Sequence, residues 1–200
     1  MQLVTVSYDL MEGEGRDGAQ TVNIRNALNI FFQGVERRAY RMAYIATYNR
    51  EDALDLVQDA MLRLARNYAQ RPNEEWAPLF HRILQHRITD WHRKRKVEQW
   101  FGSWFGRSRD EDNQPEPSLE IEDVRFEPGR TVFNSQALSR LDEVLHELPL
   151  RQQQAFLLRA WEGLDVQQTA EAMGCSAGSV KTHYSRAIHT VREKLEGYWP

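Results

Sequence analysis

Two hundred residues, 41% hydrophobic and 28% charged, allow one medium domain or two small ones and leave no room for a large enzyme of several lobes. No apolar run approaches the ~18 residues of a membrane span, and no basic segment followed by an apolar stretch opens the chain, so membrane insertion and secretion are not expected and a cytoplasmic location is. The single cysteine, Cys175, excludes an intrachain disulfide framework, and the net charge of −3 hides segments of −3 (1–23), +6 (24–96), −5 (97–135) and −1 (136–200).

In chain order, residues 1–23 read as a loose leader, because Glu12-Gly13-Glu14-Gly15-Arg16-Asp17-Gly18 is polar and glycine-rich. A helical period follows. Ile24, Leu28, Phe31, Phe32, Val35, Ala39, Met42, Ala43 and Ile45 recur at steps of three and four, and Ala53, Leu56, Val57, Ala60, Met61 and Leu64 repeat the pattern. A third helix runs from Trp76 or Leu79 through Phe80, Ile83, Leu84, Ile88 and Trp91 to the basic end Arg93-Lys94-Arg95-Lys96. Residues 97–135 read as a flexible acidic linker, since Arg109 to Ser118 holds acidic groups, two prolines and no apolar period. Trp100, Phe101, Trp104 and Phe105 fall on one helical stripe at its start, and packing on the amino-terminal module is the expectation for them, ahead of a dedicated partner site.

In the second half, Leu138, Leu141, Val144, Leu145 and Leu148 form a helix stopped at Pro149, and Phe156, Leu157, Ala160 and Trp161 form the next. A short helix with Val166, Ala170 and Met173 should close at Gly174 in the left-handed conformation, after which Ser176 caps a final helix. This is a helix-turn-helix pattern. On the last helix Val180, Tyr184, Ala187, Ile188, Val191 and Leu195 share one face, leaving Ser179, Lys181, Thr182, His183, Ser185 and Arg186 outward as donors for phosphates and base edges. A solvated face on an ordinary helical hairpin remains the plainer alternative. The expected fold is all-α: two small helical domains, 24–96 and 136–200, joined by the linker.

Other chemistry is poorly supported. Asp55 and Asp59 lie one turn apart on the second helix, but two carboxylates without a facing set supply too few ligands for a divalent ion. No two of His81, His86, His92, His183 and His189 stand at the i, i+4 step of a helical metal pair, and neither a glycine-rich phosphate loop nor a nucleophile elbow is present. No metal, cofactor or catalytic residue is expected.

Leu148-Pro149, Gln153, Phe156-Leu157-Leu158-Arg159, Glu162-Gly163-Leu164, Thr169-Ala170, Gly174-Cys175-Ser176, Gly178-Ser179-Val180-Lys181 and Arg186-Ala187 resemble region 4 of the extracytoplasmic-function (ECF) group of bacterial RNA polymerase sigma factors. Glu51-Asp52-Ala53-Leu54-Asp55-Leu56-Val57-Gln58-Asp59, then Leu79-Phe80-His81-Arg82-Ile83 through Asp90 to Arg93-Lys94-Arg95, resemble region 2 of the same group, in the family's order. The resemblance implies a non-catalytic specificity subunit that binds core RNA polymerase and directs promoter-specific initiation. Its implied partners are the β′ clamp helices, the β flap, promoter DNA and, as in many members, an anti-sigma factor. Carried onto this chain, Arg82, Gln85, His86, Thr89, Arg93 and Lys94 would bind the melted −10 strand. Ser176, Ser179, Lys181, Thr182, His183 and Arg186 would read the −35 duplex, and Asp55, Gln58 and Asp59 would dock on core polymerase. Two rivals stay open on the residues alone: a stand-alone regulator using its helix-turn-helix without polymerase, and a metal-dependent nuclease built around Asp55 and Asp59.

Overall fold

The computed structural model describes residues 17–104 and 131–196. Among these residues there are seven α-helices and no strand. The acidic run 109–118, Phe105 and the leader up to residue 16 lie outside the described residues.

Helix α1 (Asp17–Thr47) buries Leu28, Phe32, Val35, Ala39, Met42, Ala43 and Ala46, the face its period marks out. It stops where Thr47 turns its hydroxyl back to the Ala43 carbonyl (2.9 Å) and Tyr48 takes φ 53°, a left-handed conformation that side chains seldom adopt. Asn49 starts α2 (Arg50–Tyr68) by accepting from the Asp52 N–H at 3.0 Å. Helix α3 (Asn73–Trp104) closes the amino-terminal unit with Trp76, Phe80, Leu84 and Ile88 buried; Phe31 meets Trp76 and Phe80 edge-on, both at 5.9 Å. Each such aromatic or aliphatic side chain contributes about 1.5–3 kcal/mol on burial.

The carboxy-terminal unit begins with α4 (Thr131–Glu147), breaks at Pro149, and resumes as α5 (Leu150–Phe156). A π turn, Leu157–Trp161, follows, in which the Glu162 N–H reaches back to the Leu157 carbonyl at 3.0 Å. Asp165 and Gln168 form a reciprocal capping box on α6 (Val166–Met173), which ends at Gly174 with φ 61° and ψ 45°. Ser176 caps α7 (Ala177–Lys194), its Oγ accepting from the Ser179 N–H at 3.1 Å. The turn chemistry of the helix-turn-helix therefore stands as its sequence indicates.

Three expectations need correction. Helix begins at Asp17, inside the expected leader, because nothing after Gly18 breaks it, and α3 continues from Val97 to Trp104, eight residues into the expected linker, because that stretch holds no proline. Trp100 and Phe101 do not pack away on the amino-terminal unit: they meet each other at 5.1 Å and are 60% and 49% exposed. The two units also pack on each other. Helix α6 packs on α3 and α4 on α1, and the buried residues form one continuous cluster through both units. Periodicity identifies the face a helix buries but not the helix it buries it against.

Candidate nucleic-acid and polymerase interfaces

Helix α7 presents a free polar face. Val180, Ala187 and Val191 are buried on its inner side, and this leaves Lys181, Thr182 and Arg186 exposed and His183 half-buried. Ser176 and Ser179 sit at the amino-terminal end, where unpaired N–H groups favour an anion, with their hydroxyls 2.9 Å apart; the Thr182 hydroxyl donates to the Gly178 carbonyl at 3.0 Å. Two arginines brace the motif from α5 and the π turn. Arg151 donates to the Met173 carbonyl at 2.6 Å, at the end of α6, while Arg159 donates to the Leu164 carbonyl and lies over the Tyr184 ring of α7, 5.8 Å from its centre. Sequence reasoning singled out neither arginine as a support, because spacing along one helix gives no signal of the carbonyl on another segment that an arginine will reach.

Helix α3 divides its candidates. Arg82, His86, Arg93 and Lys94 are exposed, and Arg95 lies over Trp91 at 5.1 Å. Gln85, in contrast, is 1% exposed, and Thr89 donates to the Gln85 carbonyl while accepting from Gln154 of α5 at 3.1 Å. Gln85 therefore does not face solvent as a DNA-reading residue should, whereas Thr89 is half-buried at the edge of a cleft. A cleft of about 960 Å³ opens beside the basic end of α3, with Trp91, His92, Arg93 and Arg95 on one wall and Glu143 and Glu147 of α4 on the other. His92 at its base hydrogen-bonds the Ala46 carbonyl. Burial and the charge of His146 and then Arg95 hold its pKa below the ordinary value against that bond.

On α2, Asp55 is exposed and Gln58 half-buried, whereas Asp59 is held by Arg87 of α3 and by Arg63 at 3.4 Å. The structure thus leaves Asp55 outward and ties Asp59 down. Among the described residues no three His, Cys, Asp or Glu side chains are grouped as metal ligands, and no helix is long and apolar enough to cross a membrane.

Beside the continuous apolar core, the junction between the units carries polar groups that sequence reasoning missed as a set. Glu162 is the centre: its carboxylate, 4% exposed, meets His81 Nε2 of α3 at 3.3 Å and Arg38 Nε of α1 at 3.1 Å. Burial pushes this carboxyl up, but the hydrogen bond and charge of His81, with Arg38, outweigh it and leave the group below its ordinary value. Arg41 of α1 grips Asp142 of α4 through one nitrogen at 3.0 and 2.9 Å and also covers the Trp161 ring. Gln153 and His146 both reach the Ile45 carbonyl, at 3.4 and 2.7 Å. These partners lie a hundred or so residues apart in sequence, so no local spacing could have announced them.

Two family models match the chain, sigma-70 region 2 over residues 31–98 and sigma-70 region 4 over residues 138–189, the first covering α2 and most of α3 and the second ending within α7. The RNA polymerase sigma-E factor of Streptomyces antibioticus is 30% identical over 146 residues, covering 72% of this chain and 71% of that one. The chain belongs to the ECF group of the sigma-70 family. The ECF RNA polymerase sigma factor SigM of Mycobacterium tuberculosis is 26% identical over 170 residues, covering 84% of this sigma factor and 77% of its own length. The fold is also that of the sigma factor RpoE from Bartonella quintana, solved in complex with the anti-sigma factor NepR. That match has a TM-score of 0.56 at 24% identity over 83% of this chain and 96% of the other. As a sigma factor the chain is a specificity subunit in transcription initiation, and its two regions make core RNA polymerase and promoter DNA its partners.

Proposed function

We propose that this sigma factor selects promoters by two different physical readings: α7 enters the major groove of the −35 element as duplex, and α3 holds the −10 element as a melted single strand. The observation that carries the first is the outward face of α7, where Lys181, Thr182 and Arg186 are exposed beside a helix amino terminus while the opposite face is buried. The second rests on the exposed Arg82, Arg93 and Lys94 with Trp91 among them, a pairing of phosphate attraction with an aromatic surface for an unstacked base. The exposed Asp55 and half-buried Gln58 of α2 dock on the β′ clamp helices, and region 4 meets the β flap. Domains spanning 24–96 and 136–200 with a spacer between them hold the two readings at the separation a promoter requires, and the tether raises the effective concentration of the second once the first is made. The chain supplies no catalytic group; the polymerase does the bond chemistry. Its workplace is the cytoplasm, and, as with the Bartonella relative, an anti-sigma factor is the natural restraint.

The deciding experiment is transcription of a genomic library by reconstituted holoenzyme. Start sites sharing a −10 and a −35 motif are expected, with both motifs required. Failure of the purified chain to bind core polymerase, or initiation at random sites, would overturn the reading.

A further inference from the structure

The carboxy-terminal end of α3 stands clear of the core. Every residue from Lys96 to Phe101 is exposed, and three of them are apolar: Val97 at 52%, Trp100 at 60% and Phe101 at 49%. At about 100° per residue these three share one arc of about 100°, and Lys96 and Lys94 stand roughly 40° and 20° beyond its two edges. Arg93 lies one turn before Val97 on the same side, where Asp90 meets it only at 3.9 Å and leaves its side chain 79% exposed. Glu98, the one acid between Arg93 and Phe101, falls outside the arc.

An apolar arc rich in aromatic rings with a lysine along each flank is the layout of a helix that lies in the plane of a bilayer surface. The rings enter the boundary between headgroups and acyl chains, and the lysine stems run beside them while the ammonium groups reach lipid phosphates. The charge of the whole chain does not supply this attraction, because it is −3; the basic cluster at 93–96 does, and it complements an anionic surface. Lying on the surface needs no spanning segment, and among the described residues no helix is long and apolar enough to cross a membrane. A single-stranded nucleic acid fits the patch less well. Trp100 and Phe101 meet at 75° rather than offering parallel planes for successive bases, and Val97 has no ring on which a base could stack.

We propose that the end of α3 is a docking element for an anionic lipid bilayer, with Val97, Trp100 and Phe101 entering the interface and Arg93, Lys94 and Lys96 binding the phosphates of its headgroups. Arg93 and Lys94 also belong to the −10 set of the promoter reading, so where that reading holds, a docked chain has them engaged with lipid in place of DNA.

The test is co-sedimentation of the full chain with vesicles of phosphatidylglycerol and phosphatidylcholine in equal parts, and with vesicles of phosphatidylcholine alone. Binding is expected to the first and not to the second. Trp100→Ser combined with Phe101→Ser should weaken it about tenfold or more, and Lys94→Gln combined with Lys96→Gln should do so by about fivefold for each charge removed. Arg66→Gln combined with Arg71→Gln removes the same charge near the other end of α3, from two exposed positions, and should leave vesicle binding as it was. Circular dichroism checks that each variant keeps its helix content. Absence of binding to the anionic vesicles, an equal loss in the Arg66 and Arg71 control, or full binding after Trp100→Ser and Phe101→Ser overturns the proposal. So does a random-sequence single-stranded DNA pool whose binding falls with the two aromatic substitutions while vesicle binding does not, which would make the patch a nucleic-acid platform. Neither promoter nor polymerase is present in the vesicle assay, so its failure leaves the promoter reading standing, and a holoenzyme that fails to select promoters leaves the lipid site standing.

Discussion

Helices α3 and α7 carry the same kind of chemistry, basic and hydrogen-bonding side chains on one face and a packed apolar stripe on the other, yet they stand in opposite situations. The polar face of α7 is open from Ser176 to Arg186, whereas that of α3 is open at Arg82, His86 and its basic end, buried at Gln85 and half-covered at Thr89, which Gln154 of α5 bonds. A polar face is therefore available to a partner only where the rest of the fold leaves it so, and residue type does not decide which case holds. The comparison also separates two kinds of support: α7 is braced within its own unit by Arg151, Arg159 and the caps at Gly174 and Ser176, and α3 is braced across the junction by residues of the other unit.

The largest effect is expected where the junction is driest. Glu162→Ala leaves His81 and Arg38 facing each other without their shared carboxylate. Because the Arg38 side chain is half exposed, the loss belongs at the lower end of the range for a broken buried pair, about 3 kcal/mol. Urea titration of the full chain, followed by circular dichroism and by tryptophan fluorescence, measures it. A loss under about 1 kcal/mol, the worth of an exposed pair, would mean that α3 owes the junction no more than α7 does.

On the open helix, Lys181→Ala or Arg186→Ala should weaken holoenzyme binding to a −35 duplex by about 1–3 kcal/mol if the contact is to a base, with melting temperature unchanged because both side chains are exposed. Gel shifts at several salt concentrations tell a base contact from a phosphate contact, since only the latter loses affinity evenly across sequences and lowers the salt slope. Gly174→Ala comes next. With the new Cβ 3.7 Å from its nearest neighbour there is room for it, so the cost is the left-handed backbone alone, about 1 kcal/mol, read in a thermal melt. A larger loss would show that the turn also depends on the approach of His86.

Most of this was legible in the chain itself, and the part that was not shares one cause. The helix stripes, the break at Pro149, the left-handed Gly174 and the Ser176 cap are local, encoded within three or four residues, and they stand where spacing puts them. The outward set on α7 follows from its own period for the same reason. What spacing missed is the junction: His81 reads as one more histidine on a helix, Asp142 as one acid in a neutral segment, and Gln154 as one of three consecutive glutamines, until folding brings α3, α4 and α5 together. Leu138 shows the reverse error, an apolar residue in period that is 39% exposed because no helix arrives to cover it. The extension of α3 to Trp104 was missed because charge composition, which marks a spacer, was given more weight than the absence of any residue that breaks a helix.

The smallest expected effect is a dependence of stability on pH, its sign set by the groups at the junction. His92 of α3 faces the Ala46 carbonyl of α1, His146 of α4 and Arg95 of its own helix, and burial and those charges lower its pKa from the ordinary 6.5. The unfolded chain thus takes up a proton at a pH where the folded one does not, so stability is full above 6.5 and falls as the pH drops from there through the lowered value. Glu162, facing His81 and Arg38, is lowered from 4.5, and its contribution is likewise lost on acidification, at lower pH. Asp142 opposes it: burial raises its pKa from 3.8 in spite of Arg41, so the folded chain gains relative to the unfolded one as that carboxyl is protonated. Of these three groups, only His92 changes its charge between neutrality and the carboxylate range. Lowering the pH from 7.5 toward 5.5 should therefore lower the stability of the fold modestly, seen as a fall in the urea midpoint, and His92→Gln should flatten that response while leaving the −35 affinity of α7 as it was. A response that survives His92→Gln would place the sensitivity elsewhere. A −35 affinity that changes with it would show that the two helices are coupled, which their separate bracing argues against.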